Sequence, residues 1–417
     1  MRILYAVPAY PPAFRFGGPI VSVAKAATEL VRRGHELTVF TTNGNLDLDL
    51  DVPVDRPVEV EGVKVWYFKR QEYLKRWLPF LPYLSRASGY LYAPAMRSAL
   101  GQIVPSMNVV HTHLPFVYPT LAAGRAAIQF QKPLFYHQRG VFDPARLRFR
   151  ALKKRFYIAA IERPLMRRAS TLIALTQAEE ASYRLLKVST PCRVIPNGID
   201  ANQYRENART DVLRRWNVPT SGAVVLFLGR IHPTKGVERL VDGFAHVQAK
   251  LPSAYLVIAG PDEWRSEAKL RARAQEGGWN DRLVFTGMIE GEQKLDLLAR
   301  AQLFVLPSDA EGFSVAVLEA MASGTALLLS PGCHFPEIVT AGAGLISETH
   351  PASLGSALTT MLSDPGTLQQ MGIAARDFVT RYYSWARLID LLLDTYQEGI
   401  QRHVRASMHR STAATVV

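Results

Sequence analysis

Glu311 and Glu319 stand eight positions apart in Glu311-Gly-Phe-Ser-Val-Ala-Val-Leu-Glu319, a spacing that two carboxylates can use on one ligand. An apolar run ends near Leu306 and a helical pattern begins near Ser314 or Val315. The amides of Phe313, Ser314 and Val315 are therefore expected at a helix N-terminus, where free N–H groups and the helix dipole attract anions. Glu311 then sits in the loop before the helix. Glu319 sits inside it, about 7.5 Å of helical rise beyond Ser314. Two acids so placed can bracket an extended molecule, each accepting hydrogen bonds from hydroxyls. A diphosphate carrying a hydroxyl-rich ring at each end has that shape. Taken singly, Glu319 also reads as a partly buried helix acid, and Glu311 as a loop acid favoured by the dipole.

A second loop, Gly229-Arg-Ile-His-Pro-Thr-Lys-Gly236, leaves the apolar run Ala223–Leu228 and enters a helical pattern at Val237. In doubly wound sheets, ligands sit outside the carboxyl ends of such strands. Arg230 and Lys235 at that edge suit a diphosphate, at roughly 1.5–3 kcal/mol per charge-assisted hydrogen bond. Gly236 allows the backbone to approach closely.

These loops need strands and helices to hold them. In the first half, Arg2–Val7, a loop with Gly17 and Gly18, a helix over Ile20–Arg33 and a strand over Glu36–Thr41 form a βαβ unit, hence a parallel sheet. Val63–Phe68, Val109–His113, Pro133–Tyr136, Thr171–Leu175 and Arg193–Ile195 extend it, and a helix is expected over Arg146–Arg168 with Pro164 as kink or boundary. Prolines 79 and 82 argue against a long helix in the aromatic segment around Trp77–Tyr83, which reads as a loop over the core or a surface dipping into lipid headgroups. The pattern restarts after the turn Pro196-Asn-Gly-Ile-Asp200. The expected architecture is α/β: two Rossmann-like domains facing an interdomain cleft, spanning 1–202 and 203–382. The stretch 383–403 is expected to be helical and 404–417 a frayed tail.

The 417 residues exceed one compact core. Of the net charge of +13, residues 1–200 carry +14 (28 Lys and Arg against 14 Asp and Glu) and the remainder −1 (21 against 22). The densest run, Arg139 to Arg168, reads either as a solvated helix face or as a surface for anionic lipid or an acidic acceptor. No basic-aromatic module accompanies it, so nucleic acid is not expected. Two distant cysteines, Cys192 and Cys333, form no metal or disulfide pattern. His111 and His113 share a strand face, but with no third ligand nearby in sequence no metal is expected. Neither a signal peptide nor a membrane-spanning run is expected, so the default is a cytoplasmic protein that can rest on the inner face of the membrane.

In order and spacing, Glu311-x7-Glu319, the Arg230…Lys235 loop, Pro196-Asn-Gly-Ile-Asp200, the Gly17-Gly18 loop and Phe285-Thr-Gly287 resemble the retaining glycosyltransferases of family 4, which have the GT-B fold. The resemblance runs from Met1 to about Tyr396. It implies that Arg230 and Lys235 hold the donor diphosphate of a nucleotide sugar, and that Glu319 takes the ribose hydroxyls. It implies that Glu311, with the Phe313 and Ser314 amides, holds the donor sugar, while Gly17 and Gly18 let the first loop close over it. It implies no bound metal or cofactor, a final helix crossing back onto the N-terminal domain, and a glycan or lipid-linked acceptor, as in surface polysaccharide or glycolipid synthesis. The family's usual histidine directly before a glycine is here Arg139, in His137-Gln-Arg-Gly140. Either His137 or Arg139 fills that position. Ser314 stands where glycine is frequent and Thr325 where proline is. A sugar-nucleotide epimerase or a non-catalytic scaffold on the same fold is the alternative. Donor base, donor sugar and linkage stay open.

Overall fold

The computed structural model describes residues 1–16, 18–46, 48–71, 90–148 and 151–414. The segment Trp77–Tyr83, Gly17 and Arg150 lie outside these. The chain divides into two compact units, Met1–Pro196 with Trp385–Val417, and Asn197–Ser384.

The first unit is built on β1 (Arg2–Ala6), β2 (Glu36–Thr42), β5 (Pro57–Val60), β6 (Val63–Phe68), β7 (Val109–His113), β8 (Leu134–His137), β9 (Thr171–Ala174) and β10 (Cys192–Val194), with a small hairpin of β3 (Gly44–Asn45) and β4 (Leu48–Asp49). The sheet order is β10-β9-β8-β7-β1-β2-β6-β5. All pairs are parallel except the edge pair β5–β6. Parallel strands covered on both faces need apolar residues at every position, which is why these segments read as unbroken apolar runs. Successive side chains feed opposite cores: Leu4, Phe40, Val110 and Tyr136 pack on one face, Ile3, Tyr5, Val39, Val109 and Phe135 on the other.

The helix Gly18–Arg32 covers the second face with Val23, Ala27 and Leu30. Beside it lies the helix Trp385–Ala414, through Ile389, Leu392 and Tyr396. A Cβ on Gly399 would stand 2.4 Å from the Phe135 ring, so glycine sets how closely that helix lies on the sheet. The expected tail from 404 is corrected: the helix continues to Ala414, because Ile400–Ala414 holds no glycine or proline to stop it. The division between units falls after Pro196 rather than after 202. Asn197 Nδ2 already donates to the Phe313 carbonyl at 3.2 Å, and Ile199 N to the Tyr383 carbonyl at 2.8 Å.

The expected single helix over Arg146–Arg168 is corrected to pieces: Pro144–Arg148, Ala151–Tyr157, a π-helical turn Ile158–Glu162, and Arg163–Arg168 with Pro164 in its first turn. The wider turn lets buried Glu162 accept hydrogen bonds from Phe116 N and Tyr136 Oη, each at 2.6 Å.

The second unit comprises β11 (Ala223–Leu228), β12 (Ala254–Ala259), β13 (Leu283–Gly287), β14 (Leu303–Leu306), β15 (Ala326–Leu329) and β16 (Gly344–Ile346), in the order β13-β12-β11-β14-β15-β16 and parallel throughout. Counted in chain order this is 3-2-1-4-5-6, the doubly wound order, whose switch point lies between β11 and β14. In the first unit the reversal falls between β1 and β7.

Candidate functional site

Both expected loops of the second unit leave its switch point. After β11, the turn Pro233–Lys235 is capped by His232, whose Nδ1 accepts from Thr234 N at 3.2 Å. Gly236 follows at φ +71° and opens the helix Val237–Gln248. A Cβ there would stand 2.2 Å from the Pro307 carbonyl oxygen, so only glycine lets the two loops touch. After β14, Asp309 N and Ser308 Oγ donate to the Thr234 carbonyl at 2.8 and 2.9 Å. Glu311 N donates to the Gly332 carbonyl at 2.8 Å. The two loops are thus one stitched surface.

On that surface Lys235 Nζ and Glu311 Oε1 form an ion pair, with the Glu311 side chain 8% and the Lys235 side chain 19% exposed. Burial and the Glu311 charge push the neighbouring Cys333 thiol up to about 11, so it stays neutral. Phe313 is buried against Phe335 and Tyr383, with ring centroids at 5.2 and 5.6 Å. Ser314 is the N-cap of the helix Val315–Ala322, but its side chain makes no capping hydrogen bond. The first-turn amides, beginning at Val315, thus donate no hydrogen bond to the cap side chain. Arg230 sits at the rim: its NH1 reaches both oxygens of Glu263 at 3.0 Å, and half its side chain is exposed.

Glu319 is buried inside the helix, and its Oε1 accepts from Tyr204 Oη at 3.0 Å and Lys294 Nζ at 2.9 Å. Burial and the Glu319 charge raise the Tyr204 phenol above its ordinary value, which keeps it a donor. The sequence reading missed Tyr204, Lys294 and Glu263. They lie on other segments, and no motif marks them.

The first unit's switch point carries a different set. His113 of β7 is paired in register with His137 of β8, and His111 with Tyr5 of β1. The rings of His111 and His113 stack with centroids 4.0 Å apart, and His137 lies 5.4 Å from His113. Below them Tyr396 Oη bonds His111 Nδ1 at 2.7 Å and Tyr5 Oη at 3.2 Å. Arg139, at φ +52°, turns inward: its Nε donates to His113 Nδ1 at 3.0 Å and its NH1 to Ser22 Oγ at 3.1 Å. Arg139 therefore belongs to the interior and not to the basic surface run read from the sequence. Gly18 is the exposed first residue of its helix.

Burial, with Arg139 adding to it, holds all three histidines well below the ordinary imidazole value, so they are neutral at neutral pH. Burial lowers Arg139 to about 10, which leaves it charged. Four ring nitrogens are buried without a hydrogen-bond partner among the described residues: Nε2 of His111, Nε2 of His113 and both of His137.

The expectation that His111 and His113 lack a third partner is corrected. One ligand atom from each of His111, His113 and His137 lies within 4.8 Å of the others, because strand register, unreadable from spacing, brings β8 alongside. The tautomer argues against using all three on an ion. His113 Nδ1 accepts from Arg139, so a neutral ring carries its proton on Nε2. That nitrogen is a buried donor in want of an acceptor, such as a hydroxyl or anionic oxygen.

Known proteins match across both units. Residues 17–198 match the "Glycosyl transferase 4-like domain" family and 209–378 the "Glycosyl transferases group 1" family. The chain is 28% identical to the D-inositol 3-phosphate glycosyltransferase of Mycolicibacterium smegmatis over 95% of its own length and 90% of the relative's. It is 27% identical to the enzyme of the same name from Acidothermus cellulolyticus, over 52% of this chain and only half the relative's length. The fold matches sucrose-phosphate synthase from Thermosynechococcus elongatus with a TM-score of 0.73 at 21% identity, covering 95% of this chain and 98% of that one. With two family domains in tandem on two doubly wound sheets, the chain belongs to the family-4-like glycosyltransferases of the GT-B fold.

Proposed function

We propose that the protein moves a hexose from a nucleotide-diphosphate sugar to a glycan or lipid-linked acceptor with retention of anomeric configuration. The Lys235–Glu311 pair, set at the β11/β14 switch point beside a helix N-terminus that Ser314 leaves uncapped, carries this reading. Lys235 and Arg230 take the diphosphate together with the Ser314 and Val315 amides, and Glu311 and the Phe313 backbone take the sugar. Glu319, braced by Tyr204 and Lys294 on Oε1, presents its other oxygen to the ribose. His137 offers its unpartnered nitrogens to the donor sugar, while Arg139 positions His113. As the anomeric carbon–phosphate oxygen bond breaks, negative charge grows on the leaving diphosphate. Pre-placed cations and amides stabilise it, typically the largest catalytic contribution. The leaving oxygen takes the proton of the acceptor hydroxyl, whose oxygen bonds the anomeric carbon on the same face. No bound metal is called on, since the cations serve the leaving group.

The acceptor side rests on charge. Residues 1–200 carry +14, and the relatives' name specifies a phosphorylated inositol. A phosphate-bearing or lipid-linked acceptor of surface polysaccharide or glycolipid synthesis suits that field. The helix Ala151–Tyr157 suits peripheral contact with an anionic inner membrane face, exposing Leu152 at 82% and Phe156 at 77% beside Lys153, Lys154 and Arg155. No helix among the described residues is long and apolar enough to cross a membrane.

A thermal-shift panel of nucleotide sugars tests the donor assignment. One sugar nucleotide should raise the melting temperature, as a ligand of the folded state does by mass action. The shift should vanish in Lys235→Ala. A shift that survives that substitution overturns the donor site as drawn.

A further inference from the structure

The first unit carries a second polar site on the opposite edge of its sheet from the histidine cluster. Its cavity, of about 770 Å³, lies at the amino ends of β8, β9 and β10 and is lined by Lys132, Arg167, Arg168, Ser170, Arg402 and His403 among others. That volume falls in the range of small-molecule sites. Among the described residues no acidic side chain lines it.

The cations come from three separate stretches: the turn before β8, the end of the helix Arg163–Arg168, and the helix Trp385–Ala414. Two of them, and the His403 ring, are held in place by carbonyl or hydroxyl oxygens. Arg402 donates from NH2 to Thr171 Oγ1 at 2.7 Å and from Nε to the Ser170 carbonyl at 3.4 Å. His403 Nε2 bonds the Gln131 carbonyl at 2.9 Å, and Arg167 NH2 the Lys187 carbonyl at 3.3 Å. The nearest carboxylate pairing is Glu398 with Arg402 at 3.6 Å, and Glu398 is shared with Arg193 at 3.0 Å. No carboxylate pairs with Lys132, Arg167 or Arg168 among the described residues. In the wall, Ser170 Oγ is buried and has no hydrogen-bond partner among the described residues.

Fixed cations gathered in a concave site repel one another and concentrate anions. Guanidinium forks match phosphate oxygens two at a time, and lysine adds a point charge. A cavity of this size takes one head group and not a polymer strand. We propose that it is a binding site for a phosphate-bearing ligand of at least two negative charges, separate from the transfer site. Either a lipid head group or a soluble phosphate compound presents that chemistry.

The test is calorimetric titration of the full chain with inorganic pyrophosphate, alongside Lys132→Ala/Arg168→Ala and Lys235→Ala. Lys132 is half-buried and Arg168 exposed, so the double variant keeps its fold, which circular dichroism checks. One binding event should weaken at least tenfold in the double variant and persist in Lys235→Ala, whatever becomes of the donor site. Co-sedimentation with phosphatidic acid vesicles, whose phosphomonoester head group can carry the second charge, separates the sources. Pelleting that pyrophosphate competes away and the double variant lacks identifies a lipid head group. Pelleting equal in both chains, with the pyrophosphate event lost, identifies a soluble phosphate compound. An unchanged pyrophosphate titration in the double variant overturns the proposal.

Discussion

The two units share one strand logic and fill it with opposite chemistry. At the β11/β14 switch point the side chains are charged, paired in opposite signs and set beside helix N-termini. At the β1/β7 switch point three neutral rings are stacked in the interior around a single guanidinium. The first arrangement suits an anion that arrives with charge of its own. The second suits a hydroxyl-rich group oriented by neutral ring nitrogens. A doubly wound sheet supplies the place, and the residues on its loops decide the chemistry.

Removing the charge should have the largest effect. Lys235→Ala is expected to lower kcat by about 10²–10³, the scale for losing one pre-placed electrostatic group. It also leaves Glu311 buried without its partner, a loss of about 3–5 kcal/mol that calorimetry should register. The double change Lys235→Met/Glu311→Gln separates the two effects. It should recover much of the stability and none of the transfer. Wild-type turnover in either variant would break the contrast between the units.

The histidine cluster should divide differently. His137→Ala is expected to lower kcat by about 10², within the range for a positioned polar group, with little change in affinity for the nucleotide diphosphate. Arg139→Ala should act on folding, since it strips His113 and Ser22 of a buried partner at about 1–3 kcal/mol. If Arg139→Ala instead left stability intact and abolished transfer, the assignment of the two residues would be reversed.

The two loops of the second unit were legible because their parts are local. Residues 229–236 and 307–319 are each continuous, and the strand before each is an unbroken apolar run. The cluster of the first unit was not legible. It draws on Tyr5, Ser22, His111, His113, His137, Arg139 and Tyr396, which the register of β1, β7 and β8 and the two helices packed on that face bring together. Spacing alone paired His111 with His113 and stopped there. The bracing of Glu319 by Tyr204 and Lys294 was hidden for the same reason. The edge strand β5 went unseen because its alternating burial, exposed then half-buried, is weak over four residues.

The neutral rings give the first unit a pH signature near neutrality. Their folded values lie below the ordinary imidazole value, so the unfolded chain binds more protons as acid is added. The stability they contribute is fully present above about pH 6.5 and is lost as pH falls from there toward the folded values, at about 1.4 kcal/mol per unit for each ring. Urea midpoints between pH 7.5 and 5 should therefore decline. The decline should be shallower by one ring's share in His137→Ala. Equal slopes would mean that His137 is charged in the folded state.

The smallest effect on folding is expected at Arg230, and it sharpens the comparison most. Its pair with Glu263 is half exposed, and such pairs contribute about 0–1 kcal/mol. Arg230→Ala should therefore barely move the melting temperature of the empty protein. It should still weaken donor binding about tenfold, seen as a smaller thermal shift at fixed donor concentration. A side chain whose resting partner holds it weakly can be claimed by an incoming diphosphate at little cost. Lys235 cannot leave Glu311 so cheaply, which makes Arg230 the movable cation of the site and Lys235 the fixed one. A large loss of stability in Arg230→Ala would place both cations in the fixed class.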